Sequence, residues 1–184
     1  MPHAPDQDAG AKGASPPSAD TFENQILSLV PSLRRYSRSL AKSDSDGEDL
    51  LQDCVEKVLV RRSQWRGVNL RAWAFTIMTN LYRDRHRRVA QHPSVEFNET
   101  LGLAADDVSG DPLEKTRLQN ALNALTADHR SVLMLVVIEG YGYQDVADML
   151  AIPIGTVMSR LSRARRQMMA HLADNNIVTL RRPK

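Results

Sequence analysis

Two amphipathic helical patterns, separated by a short break, occupy Tyr143–Met169 and constrain this chain more than any other stretch. Proline cannot continue a helical hydrogen-bond ladder and restricts the residue before it, so Ala151–Pro153 marks the break. The second pattern restarts near Gly155, and its apolar residues recur on one face: Val157, Leu161, Ala164 and Met168. The stretch predicts a helix-turn-helix, whose second helix lies in the major groove when such a motif binds DNA.

The opposite face of the second predicted helix is polar and basic. It carries Thr156, Ser159, Arg160, Arg163 and Arg166. Arginine binds phosphate through its planar fork of donors and guanine through two parallel hydrogen bonds. We expect Ser159, Arg160 and Arg163 to reach base edges, and Thr156 with the helix start to meet phosphate. Paired amphipathic helices also occur in proteins that bind no DNA, where an arginine-rich face is only solvated, so this stretch alone leaves both interpretations open.

The formal net charge of +2 conceals a segregation of charge along the chain. Eight arginines and one acid lie within 60–88, five acids and no Lys or Arg lie within 89–113, and seven basic residues face one acid from Met158 to the end. Two basic blocks separated by an acidic connector predict two surfaces that face polyanions. In the first block, Asn80 could read a base edge, although an ordinary exposed asparagine would look the same.

Helical spacing of apolar residues is found through most of the chain. It predicts helices at Phe22–Leu40, Glu48–Arg62, Leu70–Arg88, Pro112–Leu125 and Ala127–Glu139. Pro31 predicts either a kink in the first helix or the first turn of a second helical segment. Residues 42–47 and 63–69 are rich in turn formers and predict a polar turn and a loop. Asp111 and Thr126 precede two of the helices as candidate N-caps.

The sequence contains no strand pattern, and residues 89–111 lack helical periodicity. A structureless segment of this length is unusual inside one compact domain, so we expect a boundary there. The predicted fold is all-α, with two small helical domains joined by a flexible acidic linker and a helix-turn-helix in the second domain. The predicted units are a disordered tail at 1–20, a domain at 21–88, a linker at 89–111, a domain at 112–173 and a tail at 174–184.

Composition narrows the class of function. Cys54 is the only cysteine and lies on the apolar side of its predicted helix, which indicates a buried structural thiol. No apolar run approaches the length of a membrane span and no secretory signal pattern is present, so we expect a cytoplasmic protein without membrane insertion. The five histidines are scattered, and no phosphate loop, metal-ligand spacing or catalytic motif is found. We therefore expect neither enzyme activity nor a cofactor.

Three motifs, in their order and spacing, resemble the extracytoplasmic-function (ECF) group of bacterial alternative sigma factors. EDLLQDCVEKVL at 48–59 is similar to that family's second-region helix, and LRAWAFTIMTNLYRDRHRR at 70–88 is similar to its promoter-melting helix. Residues 124–168 resemble the fourth region, which reads the minus-thirty-five promoter element. The resemblance covers roughly Phe22 to Leu172 apart from the linker. The tract from LRAW to Asn80 is similar to that of general-stress members in alphaproteobacteria.

The resemblance implies a subunit that binds core RNA polymerase and directs it to promoters without a cofactor of its own. The family's second region docks on the clamp helices of the β′ subunit, and the β subunit is a further partner. On this chain the implied polymerase contacts are Asp49, Gln52, Asp53 and Glu56. The resemblance also implies an anti-sigma factor that occludes these faces, and a linker that threads towards the polymerase active cleft.

The resemblance assigns one promoter element to each basic block. An unstacked base of the minus-ten element would be held by Asn80 with the 63–69 loop, because single-stranded bases are read after leaving the stack. The implied minus-ten contacts are Gln64, Trp65, Asn80, Arg83 and Arg87. The implied minus-thirty-five contacts are Thr156, Ser159, Arg160, Arg163 and Arg166. Many relatives carry a basic residue where Met158 stands, which puts one phosphate contact in question.

A stand-alone transcription regulator with an N-terminal sensor or dimerisation domain is the competing class. It predicts a ligand pocket or dimer surface within residues 22–88, and no arginine-rich helix end there. An adaptor that binds no DNA is a third option, but it leaves both basic blocks unexplained. Binding to core RNA polymerase distinguishes a sigma factor from both the stand-alone regulator and the adaptor.

Overall fold

The computed structural model describes residues 19–91 and 112–174, which form seven α-helices and no strand within these ranges. The helices are α1 (Ala19–Leu40), α2 (Asp44–Val60), α3 (Leu70–Gln91), α4 (Pro112–Asn123), α5 (Ala127–Val137), α6 (Tyr143–Leu150) and α7 (Ile154–Asp174). A 3-10 turn, Arg62–Gln64, lies between α2 and α3. The all-α prediction is confirmed. Residues 1–18, 92–111 and 175–184 lie outside the described residues, and with them the predicted cap Asp111, most of the linker and nearly all of both tails.

The second helix begins earlier than its apolar pattern predicts. The expected start at Glu48 is wrong, because α2 begins at Asp44. The Ser43 hydroxyl accepts a hydrogen bond from the backbone N–H of Asp46 at 3.1 Å, which satisfies one of the unpaired donors of the first turn. Acidic side chains in that turn also complement the positive end of the helix dipole. These residues form an N-cap and first turn, although their composition resembles that of a polar turn.

The first helix continues through its proline. The alternative of a second helical segment starting at Pro31 is wrong, because α1 is one element from Ala19 to Leu40. Pro31 and Leu27, the residue whose carbonyl loses its helical partner, are both exposed. Water can therefore bond that carbonyl, which lowers the cost of a proline inside a helix. The other boundaries differ less: α1 begins two residues inside the expected tail, and α3 ends at Gln91 rather than Arg88.

Helices α1, α2 and α3, here called the N-terminal group, pack around large buried side chains. The fully buried members include Phe22, Leu33, Tyr36, Leu40, Leu50, Val58, Phe75 and Met78. The Tyr36 hydroxyl lies 2.8 Å from Oγ1 of Thr79 inside this core. Cys54 is fully buried, as expected, and its thiol contacts the carbonyl of Ala74 at 3.5 Å. Burial raises the pKa of the Cys54 thiol to about 12, so the group stays protonated at neutral pH.

Helices α4 to α7, here called the C-terminal group, pack with α7 against α4, α5 and α6. Thr126 caps α5 as predicted, since its hydroxyl accepts from the N–H of His129 at 3.3 Å. The break between α6 and α7 is made by Ala151, which takes the left-handed conformation with φ of 51°. Pro153 lies just before α7, and its carbonyl accepts from the N–H of Thr156 at 2.8 Å. The proline therefore starts the second helix rather than ending the first.

The two groups pack against each other. Helix α5 contacts α1 and α3, and α6 also contacts α3. The rings of Phe75 and Tyr141 meet edge to face, with their centroids 5.8 Å apart. Buried apolar residues of both groups belong to one continuous cluster. The two groups share an interface that the apolar periodicity does not reveal.

Candidate nucleic-acid interface

Helix α6 is followed after three residues by α7, which has one buried and one basic side. Val157, Leu161 and Ala164 are buried, and they hold α7 against the other helices of the C-terminal group. On the opposite side the predicted contacts Ser159, Arg163 and Arg166 are exposed, and Thr156 is half-buried. The Ser159 hydroxyl donates to the carbonyl of Thr156 at 3.1 Å. The exposed side presents two guanidinium groups one turn apart on a rigid helix, which is an arrangement that can meet DNA.

Arg160 is placed differently from its neighbours on α7. Its Nη2 lies 2.7 Å from Oδ2 of Asp128, a residue in the first turn of α5. Only 19% of the Arg160 side chain is exposed. The guanidinium is therefore engaged by a carboxylate at the edge of the basic face.

The predicted minus-ten residues on α3 differ in how far their side chains are exposed. Asn80 is exposed, and Arg87 is 68% exposed with its Nη1 3.8 Å from Oδ1 of Asp84. Arg83 is only 23% exposed, because its Nε lies 2.6 Å from Oδ1 of Asp128. One arginine from each predicted DNA-reading helix thus contacts the same carboxylate.

The loop before α3 is held by its own hydrogen bonds. Asn69, at a φ of 41°, accepts from the N–H of Ala72 through its side chain at 3.0 Å and so caps α3. The indole N–H of Trp65 donates to the carbonyl of Val68 at 3.2 Å. Its ring packs on Phe22, with a centroid separation of 5.2 Å, so Trp65 is partly committed to the core. Gln64 is exposed.

The polar face of α2 is largely open to solvent. The predicted polymerase contacts Asp49, Gln52 and Glu56 are exposed. Asp53 differs, because its Oδ2 lies 2.6 Å from Nη2 of Arg85 on α3. This pair ties the acidic face to the basic end of α3.

The interface between the two groups contains charged residues that the sequence patterns do not single out. The Glu139 side chain is 0% exposed and accepts from Arg35 at 3.0 Å and from Arg71 at 2.8 Å. The Arg71 guanidinium also lies over the rings of Phe75 and Tyr141, at 5.2 Å and 5.0 Å from their centroids. A buried carboxylate requires such partners, because an unpaired one would lose most of its solvation.

Arg130 also crosses this interface, with only 2% of the residue exposed. Its guanidinium donates to the carbonyls of Ser39 and Ala41 at 2.8 Å and 2.9 Å, and to the side-chain oxygen of Asn123 at 2.9 Å. Burial lowers the pKa of Arg130, because it removes the charged guanidinium from water. The arginine satisfies carbonyls at the end of α1 from the other helical group. Arg130 stands between His129 and Ser131, before the apolar run at 132–138, so no sequence signal distinguishes it from an exposed arginine.

No cluster of His, Cys, Asp or Glu that could hold a metal ion is present within residues 19–91 and 112–174. Among the helices of these two ranges, none is long and apolar enough to cross a membrane. The chemistry of the described surfaces is therefore that of charged and amide side chains.

Comparisons with known proteins place both groups in one family. Residues 26–79 match the family "Sigma2 domain of PhyR", and residues 115–168 match "Sigma-70, region 4". The ECF RNA polymerase sigma factor EcfG of Rhodopseudomonas palustris (strain TIE-1) is 33% identical over 162 residues, which cover 85% of this chain and 87% of that protein.

Solved structures agree with the sequence comparison. The sigma factor RpoE of Bartonella quintana, in complex with the anti-sigma factor NepR, is 32% identical with a TM-score of 0.68, covering 84% of this chain and 98% of that one. CnrH, in complex with the cytosolic domain of CnrY, shares the fold at 24% identity and a TM-score of 0.62, covering 87% and 92% of the two chains. The chain belongs to the extracytoplasmic-function family of alternative sigma factors, which direct RNA polymerase to promoters.

Proposed function

We propose that this sigma factor divides promoter recognition between its two helical groups, with α7 reading the minus-thirty-five duplex. The observation that carries the proposal is the two-sided character of α7. Ser159, Arg163 and Arg166 point to solvent from a helix whose other side is buried. A helix held rigidly from behind can place arginine against guanine in the major groove. Thr156 lies at the start of the same helix, where it would contact phosphate.

The N-terminal group is proposed to hold the minus-ten element after strand opening. Asn80 is exposed on α3, and Arg87 lies further along the same helix with most of its side chain in solvent. An amide can donate to and accept from the edge of a flipped base, while arginines neutralise the backbone. The hydrogen-bonded loop with Gln64 and Trp65 would form one wall of the base pocket. The energy of trapping an unpaired base would then favour strand opening.

The polymerase contact is proposed to be the acidic face of α2. Asp49, Gln52 and Glu56 are exposed there and available to a partner. Asp53 would contribute together with Arg85, since the two side chains already form a pair at 2.6 Å. The β′ clamp helices and the β subunit are the partners that the family suggests. We place this activity in the cytoplasm, where RNA polymerase works, and assign the protein no enzyme activity of its own.

Tethering gives each helical group a high effective concentration at its promoter element. Neither group alone needs to bind its element tightly, because polymerase and the connecting segment 89–111 would fix both on one promoter. The five acids of that segment would suit a basic channel that normally accepts RNA. No metal or nucleotide enters this proposal.

An anti-sigma factor is proposed as the regulatory partner. The B. quintana relative was solved in complex with the anti-sigma factor NepR, and the relation to this chain extends over 84% of its length. A partner of this kind would cover the polymerase and DNA faces. Assignment to the general-stress type stays a prediction.

A regulator with a sensor domain predicts a pocket within residues 22–88. A cavity of about 490 Å³ does lie between the ends of α1, α2 and α3. Its wall combines apolar side chains such as Leu40, Leu50 and Tyr82 with charged ones, so it is an open cleft of mixed character rather than an enclosed apolar pocket. The similarity to sigma factors over both groups favours the promoter-directing function.

Reconstituted transcription tests the proposed function. The full chain is mixed with core RNA polymerase, and binding is measured by pull-down and by run-off transcription from a promoter with both elements. We expect a stable complex and a transcript that depends on the chain. A Glu56→Arg variant should lose polymerase binding, whereas Glu23→Arg on the exposed side of α1 should retain it. Tight DNA binding without polymerase, and no transcript with it, would favour the stand-alone regulator.

A further inference from the structure

Asp128 lies where α3, α5 and α7 meet, and it forms an ion pair with an arginine from each of the two predicted DNA-reading helices. Its Oδ1 is 2.6 Å from Nε of Arg83, and its Oδ2 is 2.7 Å from Nη2 of Arg160. Arg83 belongs to the N-terminal group, and Arg160 belongs to the C-terminal group. The two exposed fractions, 23% and 19%, are well below that of Arg87 at 68%. The carboxylate therefore occupies guanidinium donors of each arginine that a DNA contact would use.

A carboxylate and a phosphate compete for the same donors. A carboxylate is planar and a phosphate is tetrahedral, but each can accept two parallel hydrogen bonds from one guanidinium. An arginine that is paired with Asp128 must leave this pair before it binds a DNA phosphate or a guanine edge. The Asp128 side chain is 36% exposed, so water screens both pairs and neither is strong. The contact can hold the two arginines and still be released by a polyanion.

Two further contacts hold the groups in the position where Asp128 can reach both arginines. Glu139 binds Arg35 of α1 and Arg71 of α3 at 3.0 Å and 2.8 Å. Arg130 donates to carbonyls at the end of α1. These contacts place α5 against the N-terminal group, and the pair between Asp128 and Arg83 depends on that packing.

The packed arrangement cannot read both promoter elements at the same time. The minus-ten and minus-thirty-five elements are separated by roughly 80 Å of duplex, at about 3.4 Å per base pair. A compact body of this number of residues is roughly 40 Å across, from the scaling of the radius of gyration with chain length. The groups must therefore separate on a promoter, and separation breaks the contact between Asp128 and Arg83.

We propose that Asp128 is an autoinhibitory bridge, which keeps one arginine of each DNA reader engaged while the two groups are packed together. Opening releases Arg83 from the bridge, and DNA then displaces the carboxylate from Arg160. The free protein binds promoter DNA weakly because the packed state predominates, and polymerase favours the open state by holding the groups apart. This inference rests on the proposed function, and on the DNA contacts that the family resemblance implies for Arg83 and Arg160.

The test uses the full chain with Asp128→Asn, which keeps the shape of the side chain and removes its charge. The matched control is Glu114→Gln, an exposed acid in the first turn of α4, because any lost acid raises the attraction for DNA. Dyes on cysteines introduced at exposed Ser45 and Ala170 report the separation of the groups, since Cys54 is buried and stays unlabelled. A labelled duplex with the minus-thirty-five element reports DNA binding without polymerase.

We expect Asp128→Asn to lower the energy transfer between the dyes and to raise DNA affinity by about fivefold over the control. If Asp128→Asn does not fold, Arg83→Gln breaks the bridge from the other side and should lower the energy transfer in the same way. If Asp128→Asn has the same energy transfer and the same DNA affinity as Glu114→Gln, the inference is wrong. This holds even if the wild-type protein supports normal transcription. An opening effect in a protein that never supports transcription with core polymerase would instead overturn the proposed function and leave the bridge supported.

Discussion

The Nη2 atom of Arg71 lies 2.8 Å from Oε2 of Glu139 and joins the start of α3 to the end of α5. The two residues are 68 positions apart in the sequence. Because the Glu139 carboxylate is fully buried, this arginine and Arg35 supply the hydrogen bonds that water cannot. A promoter-binding protein thus uses part of its basic charge within the molecule, to hold its two groups together.

Replacing Glu139 with glutamine should destabilise the packed protein. The amide keeps the size of the side chain but leaves two guanidinium groups without their carboxylate. Both arginines are partly exposed and can be hydrated, so the loss should be moderate, about 1–2 kcal/mol of the free energy of unfolding. Urea denaturation measures it, with Glu23→Gln on the exposed side of α1 as control. Equal denaturation midpoints for the two variants would show that the buried ion pairs make no net contribution to the free energy of unfolding.

Replacing Arg163 with alanine should weaken recognition of the minus-thirty-five element. A lost bidentate base contact costs about 1–3 kcal/mol, so transcription at limiting protein should fall by roughly tenfold or more. Arg165→Ala is the matched control, because Arg165 is exposed on the same helix but lines a surface groove with Met158 and Met169, which Arg163 does not line. Polymerase binding should stay normal in both variants. Equal losses for the two arginines would point to general charge attraction and against a base contact.

Replacing Asn80 with alanine should impair strand opening while polymerase binding stays intact. Removal of a hydrogen-bonding partner for an unstacked base should reduce open-complex formation by roughly threefold to tenfold. Reactivity of unpaired thymines with permanganate measures the open complex. Gln91→Ala is the control, as an exposed amide near the end of the same helix. Loss of polymerase binding in Asn80→Ala would mean that this surface had been assigned to the wrong partner.

The buried thiol predicts a loss of stability at alkaline pH. Burial raises the pKa of Cys54 from 9.0 to about 12, so the unfolded chain ionises first. The contribution of the thiol is complete below the unfolded pKa and is lost as the pH rises towards the folded pKa. Between about pH 9 and pH 10, the free energy of unfolding should fall by about 1 kcal/mol more in the wild type than in Cys54→Ala. Tyrosine ionisation is common to both proteins, and parallel stability curves would contradict the prediction.

Local patterns predict the local features of this molecule well. The apolar spacing of Val157, Leu161 and Ala164 identifies the buried side of α7, and the basic residues between them identify the exposed side. Thr126 is predicted as a cap because a cap depends only on its next few residues. Helix starts are less certain where polar capping residues precede the first apolar residue, as at Ser43.

Long-range pairing is the part that local patterns cannot predict. Arg35 and Glu139 are 104 residues apart, and neither periodicity nor spacing relates them. For the same reason Arg83 and Arg160 are predicted as free DNA contacts, although Asp128 engages both. A basic residue on an exposed helix face can be assigned from sequence, but its partner depends on which other helix packs beside it.

The cap that Arg130 places on α1 has a consequence for how the protein is made. Arg130 and Ser39 are 91 residues apart, so the ribosome releases α1 long before the residue that completes its end is synthesised. During that interval the carbonyls of Ser39 and Ala41 lack the donor that Arg130 later supplies, and water takes its place. The nascent N-terminal helices then lack the contacts that the C-terminal group later supplies. Chaperones or an early-binding partner can bind them before the second half of the chain is synthesised.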